Sequence, residues 1–254
     1  MSRSDEFTPR KPQVARALLA GRVCDGGEKG VCLPPANRLK PPRRGPSSHP
    51  QDAQCAKHVH SLERTVEAHL NRLLKIPAAL KRRASQIRVL LMDVDGTMTD
   101  GSVTLLSQPD GTALEIKTFD AHDGQGLTLA QTAGLRTGCI TGRESSALLR
   151  RAQEMKMEFI YMTQALKTPA YEDVLRKSGV SELEVAFIGD DLPDIPLLRR
   201  AGLAVAVGNA APEVKKIAHY TTEALAGHGA IRETVELILR SKGIWADMID
   251  KARA

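Results

Sequence analysis

Residues 87–101 read IRVLLMDVDGTMTDG, and the rest of the chain is arranged around this stretch. The four apolar residues at positions 89–92 are typical of a short strand that is buried on both faces of a parallel sheet. Asp93 and Asp95 follow this strand directly. Because residues two apart in an extended segment point to the same side, their carboxylates form a pair just beyond the strand end. Such a pair repels itself and needs a cation or a shared proton. Open α/β sheets bind ligands at this end of their strands.

Three later motifs decide what this carboxylate pair does. Taken alone, Asp-Val-Asp-Gly is equally consistent with a turn that ends a strand. Ile140-Thr-Gly-Arg143, Lys167 and the stretch 188–194, which reads IGDDLPD, then follow in this order. Alone, Thr141 would be a helix cap and Lys167 a surface lysine. Together with the first motif they resemble the haloacid dehalogenase superfamily of phosphohydrolases.

The pattern after the first motif predicts an α/β fold with a doubly wound, parallel, Rossmann-like sheet, because strands and helices alternate. Strands are predicted over 135–140, 158–161, 185–188, 203–207 and 220–221, and helices over 120–133, 144–156, 169–178, 193–201, 211–217 and 231–240. Two β-rich runs, 102–107 and 112–119, flank Gln108-Pro-Asp-Gly and predict a β-hairpin that stands beside the strand end as a flap. No insertion is long enough for a large cap domain.

The positive charge of the chain is concentrated at its beginning. Residues 1–86 hold 17 Lys and Arg against 7 Asp and Glu, whereas the remainder holds 19 against 23, so the net +6 of the whole chain belongs to the first part. Residues 1–57 are rich in proline and show no lasting period, which predicts a disordered basic tail. Such a tail could bind nucleic acid or an anionic membrane through counterion release. A solvated tail is the favoured interpretation, since Phe7 is its one aromatic residue.

The composition favours a cytoplasmic protein that does not enter a membrane. The chain has no apolar span of 18 residues and no recognisable secretory signal, so its four cysteines are not expected to form a disulfide framework. Cys55-x-x-His58-x-His60 has the spacing of half a zinc site, without a clear second ligand pair.

The chemistry that these residues suit is phosphate-ester hydrolysis. Asp93 is the candidate nucleophile, which would form an aspartyl-phosphate, and Asp95 would protonate the leaving alcohol and then deprotonate water. Asp93 and Asp190 are the carboxylates for Mg²⁺, and the superfamily resemblance adds the main-chain carbonyl of Asp95. Thr141 and Lys167 would hold the phosphate. Asp191 and Asp194 are expected to support this site, Asp194 by orienting a metal-bound water or Lys167.

Within the superfamily, residues 87–241 resemble the small capless phosphatases of 3-deoxy-D-manno-octulosonate 8-phosphate. The resemblance rests on the flap, Lys117-Thr-Phe119, Asp123-Gly-x-Gly126 and Gly229-Ala-Ile-Arg-Glu233, besides the motifs above. It implies a homotetramer in which flaps pack together and neighbouring subunits help to close each site. The substrate-side residues that it implies are Asp120, His122, Asp123, Gly124, Arg143 and Arg151.

Some positions depart from the family pattern. His122 and Thr128 stand where well-known members carry arginine, the natural clamp for a sugar carboxylate. Met162-Thr163 replaces Gln-Gly. The substrate is therefore expected to be that octulosonate phosphate or a similar phosphorylated sugar acid, with another small phosphorylated sugar as the alternative.

Two further alternatives and the domain limits complete the predictions. A non-catalytic oligomerisation module in a nucleotide-sugar pathway would lack the nucleophile, which is present here. Binding of nucleic acid through the tail is not expected, because the tail has no aromatic residue besides Phe7 for bases to stack on. The predicted organisation is a tail over 1–57, a helical lead-in over 58–86 with a helix at 61–75, the phosphatase domain over 87–243, and a C-terminal helix or tail over 244–254.

Overall fold

The computed structural model describes residues 76–253, so the predicted tail and the predicted helix over 61–75 lie outside the described residues. In chain order the elements are α1 (Ala78–Gln86), β1 (Val89–Met92), β2 (Thr104–Ser107), β3 (Ala113–Ile116), α2 (Ala121–Thr132), β4 (Arg136–Ile140), α3 (Ser146–Glu154), β5 (Phe159–Tyr161), α4 (Thr168–Ser178), β6 (Val185–Gly189), α5 (Ile195–Leu198), β7 (Leu203–Ala206), α6 (Pro212–Ile217), β8 (Tyr220–Thr221), α7 (Ala230–Ser241) and α8 (Trp245–Arg253). Short 3₁₀ turns precede β6 and α5.

The six strands β5, β4, β1, β6, β7 and β8 lie in this order in one sheet, and every neighbouring pair is parallel. This confirms the predicted doubly wound α/β fold. All four residues of β1 are buried, as its apolar run predicted. Met92 of β1 lies opposite Cys139 of β4 and Ile188 of β6. The carboxyl ends of these three central strands therefore meet at one edge, where the predicted motifs begin.

The predicted flap is present as an antiparallel hairpin of β2 and β3, with Thr104 opposite Ile116 and Ser107 opposite Ala113. Its turn is closed by hydrogen bonds between Gln108 and the turn residues that follow it. The hairpin covers little of the domain with its own apolar side chains. Its exposed large apolar residues are Val103, Leu105, Leu106, Leu114 and Ile116, and the Leu105 residue is 60% exposed.

Helices α2 and α7 pack closely, and this contact explains why residue 126 of α2 is a glycine. A Cβ atom added to Gly126 would lie 3.0 Å from the Cα atom of Arg232, so a side chain at Gly126 would push the helices apart. The Asp120 carboxylate begins α2 by accepting hydrogen bonds from the backbone N–H groups of His122 and Asp123. Packing of α2 on α7 thus fixes the segment that follows the flap.

One predicted helix is shorter than expected. The helix predicted over 193–201 is a 3₁₀ turn, Leu192–Asp194, followed by the single-turn helix α5. Pro193 and Pro196 lack backbone N–H groups, and a proline beyond the first turn removes a helical hydrogen bond. Within the described residues, no helix combines the length and the apolar character that crossing a membrane requires.

Candidate active site

Tight turns place the two central aspartates at the carboxyl edge of the sheet. The Asp93 N–H donates to the Ile188 carbonyl (3.0 Å), which extends the pairing of β1 with β6 by one residue. The chain then turns sharply, because the Val94 carbonyl accepts from the N–H groups of residues 97, 98 and 99. Gly96 lies in this turn with φ +92, and a Cβ atom there would collide with the Asp190 carboxylate. The turn after β1 and the end of β6 are therefore in direct contact.

Lys167 is the positive centre of the site. Its ammonium donates to the Asp93 carboxylate and to Oδ1 of Asp194 (2.6 Å), and all three residues are buried. Burial alone would lower the pKa of Lys167, but the negative charges of Asp93 and Asp194 outweigh burial and raise that pKa. Lys167 thus stays charged, and it holds the candidate nucleophile from one side.

Asp194 also organises the end of β6. Its Oδ2 accepts from the backbone N–H groups of Asp190 (3.0 Å) and Asp191 (3.3 Å), while its Oδ1 accepts from Lys167. Thr97, buried in the first turn, donates its hydroxyl to Oδ1 of Asp190 (3.0 Å). Asp194 orients Lys167, one of the two roles expected from the sequence.

Three carboxylates lie close together in this site, and Lys167 is the ammonium paired with two of them. One carboxylate oxygen from each of Asp93, Asp190 and Asp194 lies within 4.8 Å of the others. Burial, followed by the charge of Asp194, raises the pKa of Asp93 to about 6. Burial, followed by the charges of Asp93 and Asp194, raises the pKa of Asp190 to about 7. These shifts mean that the ionised cluster repels itself and has room for a further positive charge.

The cluster fits a divalent metal ion of the Mg²⁺ type. Mg²⁺ takes oxygen ligands and uses one or two carboxylates together with water and phosphate oxygens. Asp93 and Asp190 offer such carboxylates from neighbouring strand ends, whereas the Asp194 oxygens already accept from Lys167 and from backbone N–H groups. Asp93 and Asp190 are therefore the residues suited to hold the ion, and Asp194 supports them.

Asp95 points towards the flap and not towards Lys167. Its carboxylate accepts from the ammonium of Lys117, which follows β3, and the Lys117 side chain is only 3% exposed. The same ammonium lies 3.6 Å from Oε1 of Glu115, and this carboxylate also pairs with Arg143. Glu115 and Lys117, which form the root of the flap, are thus linked by ion pairs to Asp95 and to the loop after β4.

Thr141 lies at the end of β4, beside β1. It is buried, and its backbone is fixed by hydrogen bonds with Tyr161, at the end of β5, and with Gln164 of the loop after β5. Its hydroxyl oxygen accepts from the Arg143 N–H (3.2 Å), so it shapes the turn into α3. The neighbouring loop contains Thr163 with φ +57, a left-handed conformation that is strained for a β-branched residue.

The predicted substrate-side residues fall into different settings. The Asp120 carboxylate is occupied as the cap of α2, and the His122 side chain is 87% exposed. Both Asp123 carboxylate oxygens accept from backbone N–H groups, those of Gly229 (3.2 Å) and Arg232 (2.8 Å). In this structure Asp123 therefore caps α7, a role that the sequence analysis did not assign.

Gly124 and Arg151 are in contact with each other. A Cβ atom at Gly124 would collide with the Arg151 guanidinium, whose Nη2 donates to the Asp120 carbonyl (3.4 Å). Arg151 thereby supports the start of α2 from α3. Arg143 is about half exposed, and its guanidinium pairs with the carboxylate of Glu115.

Sequence reasoning missed Lys117, Glu115 and Thr97 as members of this site. Lys117 was noted as part of the family resemblance, but no role was assigned to it. A buried lysine beside a strand end is not distinguishable by sequence from a solvated one, because the carboxylate that accepts its hydrogen bond, that of Asp95, is 22 residues away in the chain. Thr97 belonged to the first motif, and its position four residues after Asp93 was the available signal.

The chain is similar in sequence to a known family of hydrolases and to individual phosphatases. Residues 151–232 match the family described as haloacid dehalogenase-like hydrolase. The chain is 39% identical to the 3-deoxy-D-manno-octulosonate 8-phosphate phosphatase of Yersinia pestis over 158 residues, which is 62% of this chain and 82% of that protein. It is 34% identical to the phosphatase of the same name from Escherichia coli K12 over 168 residues, 66% of this chain and 87% of that protein.

A solved structure agrees with these relatives. The 3-deoxy-D-manno-octulosonate 8-phosphate phosphatase of Moraxella catarrhalis, in complex with a magnesium ion, a phosphate ion and a KDO molecule, superimposes with a TM-score of 0.65 at 33% identity. The match covers 70% of this chain and 99% of that chain. This chain therefore belongs to the 3-deoxy-D-manno-octulosonate 8-phosphate phosphatase family of haloacid dehalogenase-like hydrolases, and it is a phosphatase.

Proposed function

We propose that this chain hydrolyses the phosphate ester of a sugar acid, 3-deoxy-D-manno-octulosonate 8-phosphate or a close analogue, with Mg²⁺ as cofactor. The observation that carries the proposal is the buried cluster in which Lys167 joins Asp93 to Asp194 while Asp190 lies beside them. A carboxylate held by an ammonium at a metal-binding edge suits attack on phosphorus. The names of the relatives in the family supply the substrate class.

The first step is attack of an Asp93 carboxylate oxygen on phosphorus. The bond between phosphorus and the ester oxygen breaks, and protonated Asp95 gives its proton to the leaving alcohol. Lys167 keeps Asp93 ionised and in place, because its ammonium donates to that carboxylate. The product of this step is an aspartyl-phosphate and the free sugar acid.

The second step returns the enzyme to its starting state. Asp95, now ionised, takes a proton from a water molecule whose oxygen attacks phosphorus. The bond between phosphorus and the Asp93 oxygen breaks, inorganic phosphate leaves, and Asp95 is protonated again. Thr141 and Lys167 would hold the phosphate oxygens during both steps, since backbone and side-chain donors at strand ends stabilise such charge.

Asp93 and Asp190 would hold the metal ion through carboxylate oxygens, and Asp95 through its main-chain carbonyl. When bound, Mg²⁺ supplies positive charge that offsets the charge of the phosphate and of the carboxylate cluster. The raised pKa values of Asp93 and Asp190 fit such a role, because a bound cation would offset the burial and the mutual repulsion that disfavour their ionised forms.

Recognition of the sugar acid is assigned to residues in the turn after β4 and at the start of α2. Arg143 offers a guanidinium for the carboxylate of the substrate, and Asp120, His122, Gly124 and Arg151 lie at the start of α2 or against it. His122 and Thr128 replace arginines of the family pattern, so we expect weaker binding of the sugar carboxylate than an arginine fork would give.

The same proposal includes a cytoplasmic homotetramer built through the flaps. The exposed apolar side chains of β2 and β3, together with Val103, form a surface that is costly to leave in water. A second copy of this hairpin would cover it. Light scattering of the purified full chain tests the tetramer, and replacement of Leu105 and Leu114 by serine should shift the mass towards the monomer.

Phosphate release from a panel of phosphorylated sugars, with and without Mg²⁺, tests the catalytic proposal. We expect the octulosonate phosphate to be preferred and EDTA to stop the reaction. Asp93→Asn should abolish turnover, whereas Asp173→Asn, at a partly exposed position of α4 outside the carboxylate cluster, should not. Equal activity on simple sugar phosphates would retain the phosphatase chemistry and refute the substrate. Activity in Asp93→Asn would refute the aspartyl-phosphate.

A further inference from the structure

The root of the flap places one buried lysine against the proposed catalytic acid. Lys117 is the first residue after β3, and its ammonium donates to Oδ1 of Asp95. Although β2 and β3 are largely exposed, the Lys117 side chain is only 3% exposed, so this ammonium has exchanged water for protein carboxylates. Burial of a charged amine is costly unless it is paired, which requires that the Lys117 contacts persist.

Glu115 completes the arrangement from the same strand. Its carboxylate lies 3.6 Å from the Lys117 ammonium and also accepts from the Arg143 guanidinium. Residues 115 and 117 point to the same side of an extended strand, so their side chains extend from the same face of the flap. Lys117 contacts Asp95 in the turn after β1, and Glu115 contacts Arg143 in the turn after β4. Both turns carry residues of the proposed reaction.

We propose that Lys117 is a positioning residue: it holds the Asp95 carboxylate where the leaving oxygen and the attacking water meet it, and Glu115 holds Lys117 in turn. Without this contact the Asp95 side chain, which is partly exposed, would be free to rotate towards solvent. The inference rests on the proposed function, in which Asp95 exchanges the proton in both steps. It adds that the flap orients the catalytic acid.

Loss of a well-positioned Asp95 should affect the two chemical steps differently, and the difference depends on the substrate. An alkyl phosphate needs a positioned acid in the first step, since an alkoxide is a poor leaving group. p-Nitrophenyl phosphate does not, because nitrophenolate leaves without a proton. Both substrates need Asp95 in the second step. Acid–base catalysis by a positioned side chain contributes about 100-fold or more, so its partial loss should slow the dependent step about 10- to 100-fold.

The test compares Lys117→Met with the unaltered full chain in Mg²⁺, by rapid-quench kinetics on both substrates. With p-nitrophenyl phosphate we expect a burst of about one nitrophenol per active site, followed by turnover slowed about 10- to 100-fold. With the octulosonate phosphate we expect no burst and a similar loss of kcat. Lys117→Arg should restore most of the rate. Lys177→Met, which removes an exposed lysine paired with Asp173, is the matched control and should behave as the unaltered chain.

Three results would overturn the inference. Unchanged kinetics in Lys117→Met would show that Asp95 needs no such support. Equal slowing of the nitrophenol burst would show general damage to the site. A higher KM for the sugar phosphate, with p-nitrophenyl phosphate unaffected, would make Lys117 a substrate contact. If Lys117→Met does not fold, Lys117→Gln carries the same assays.

Asp95→Asn, measured alongside, separates this inference from the proposed function. If the unaltered chain hydrolyses neither substrate, the proposed function fails. If Asp95→Asn shows the burst and Lys117→Met does not, the proposed function stands and only the role of Lys117 is refuted.

Discussion

Asp190→Asn should make the metal-free protein more stable at alkaline pH while it removes stabilisation by Mg²⁺. The Asp190 carboxyl lies beside Asp93 and Asp194, and Lys167 neutralises only part of this cluster. Asparagine keeps an oxygen that can accept from the Thr97 hydroxyl, so the substitution removes charge and little else. We therefore expect relief of repulsion when no metal ion is present, and loss of a ligand when it is.

The magnitude follows from the raised pKa. Burial and the neighbouring charges raise the pKa of Asp190 from 3.8 to about 7. A group whose folded pKa is raised in this way favours the folded state below pH 3.8 and loses that contribution as the pH rises through about 7. Taken at face value, ionisation would cost roughly 4 kcal/mol. Because Asp190 is partly exposed, solvent screening reduces the expected cost to about 2 kcal/mol.

Urea unfolding of both chains in EDTA, at about pH 8 and about pH 4, measures this effect. At the higher pH the variant should be more stable by about 2 kcal/mol, and at the lower pH the two should agree. Saturating Mg²⁺ should stabilise the unaltered chain by about 3 kcal/mol and the variant little. Asp173→Asn is the control, since hydrogen bonds from Lys177 and Tyr161 lower the pKa of Asp173 to about 2 and its removal should bring no gain. A variant that is less stable than the unaltered chain at about pH 8 without metal would refute the reasoning.

Three further substitutions test other parts of the site. Gly96→Ala should reduce kcat about 100-fold by displacing the Asp190 carboxylate, whereas Gly134→Ala, which also has positive φ but meets no atom within 4 Å, should not; equal activity of the two variants would contradict this. Asp123→Asn should lower the free energy of unfolding by about 1–3 kcal/mol in urea, because one backbone N–H at the start of α7 loses its acceptor, and an unchanged midpoint would exclude the capping role. Thr163→Gly should raise the free energy of unfolding by up to about 1 kcal/mol by relieving the strain at φ +57; a loss would show that the threonine side chain compensates for it.

The sheet could be predicted because its signals are local. The apolar run before Asp93 identified β1, and the alternation of strands and helices predicted a parallel sheet without knowledge of any contact. The same logic brought Asp93, Thr141 and Asp190 to one edge, since the carboxyl ends of parallel strands meet there. Lys167 was expected from its family motif, and the structure places its ammonium between Asp93 and Asp194.

The remaining features depend on contacts that have no local signal. The Asp123 carboxylate accepts from the start of α7, more than 100 residues away in the chain, and its place beside the substrate stays a prediction. Lys117 reads as one of many lysines until the flap folds against Asp95. The helix predicted over 193–201 is shorter in the structure, because Pro196 has no N–H group to continue a helix that begins at residue 193.

The most direct test of the account is to trap the phosphoryl group on the protein. The chain is mixed with ³²P-labelled octulosonate phosphate in Mg²⁺, quenched with acid within one turnover, and treated with borohydride, which reduces an acyl phosphate. The account predicts label on the chain before reduction, and conversion of Asp93 alone to homoserine after it. Label on another residue, or turnover with no trapped phosphoryl group and full activity in Asp93→Asn, would contradict the claim that Asp93 is the nucleophile.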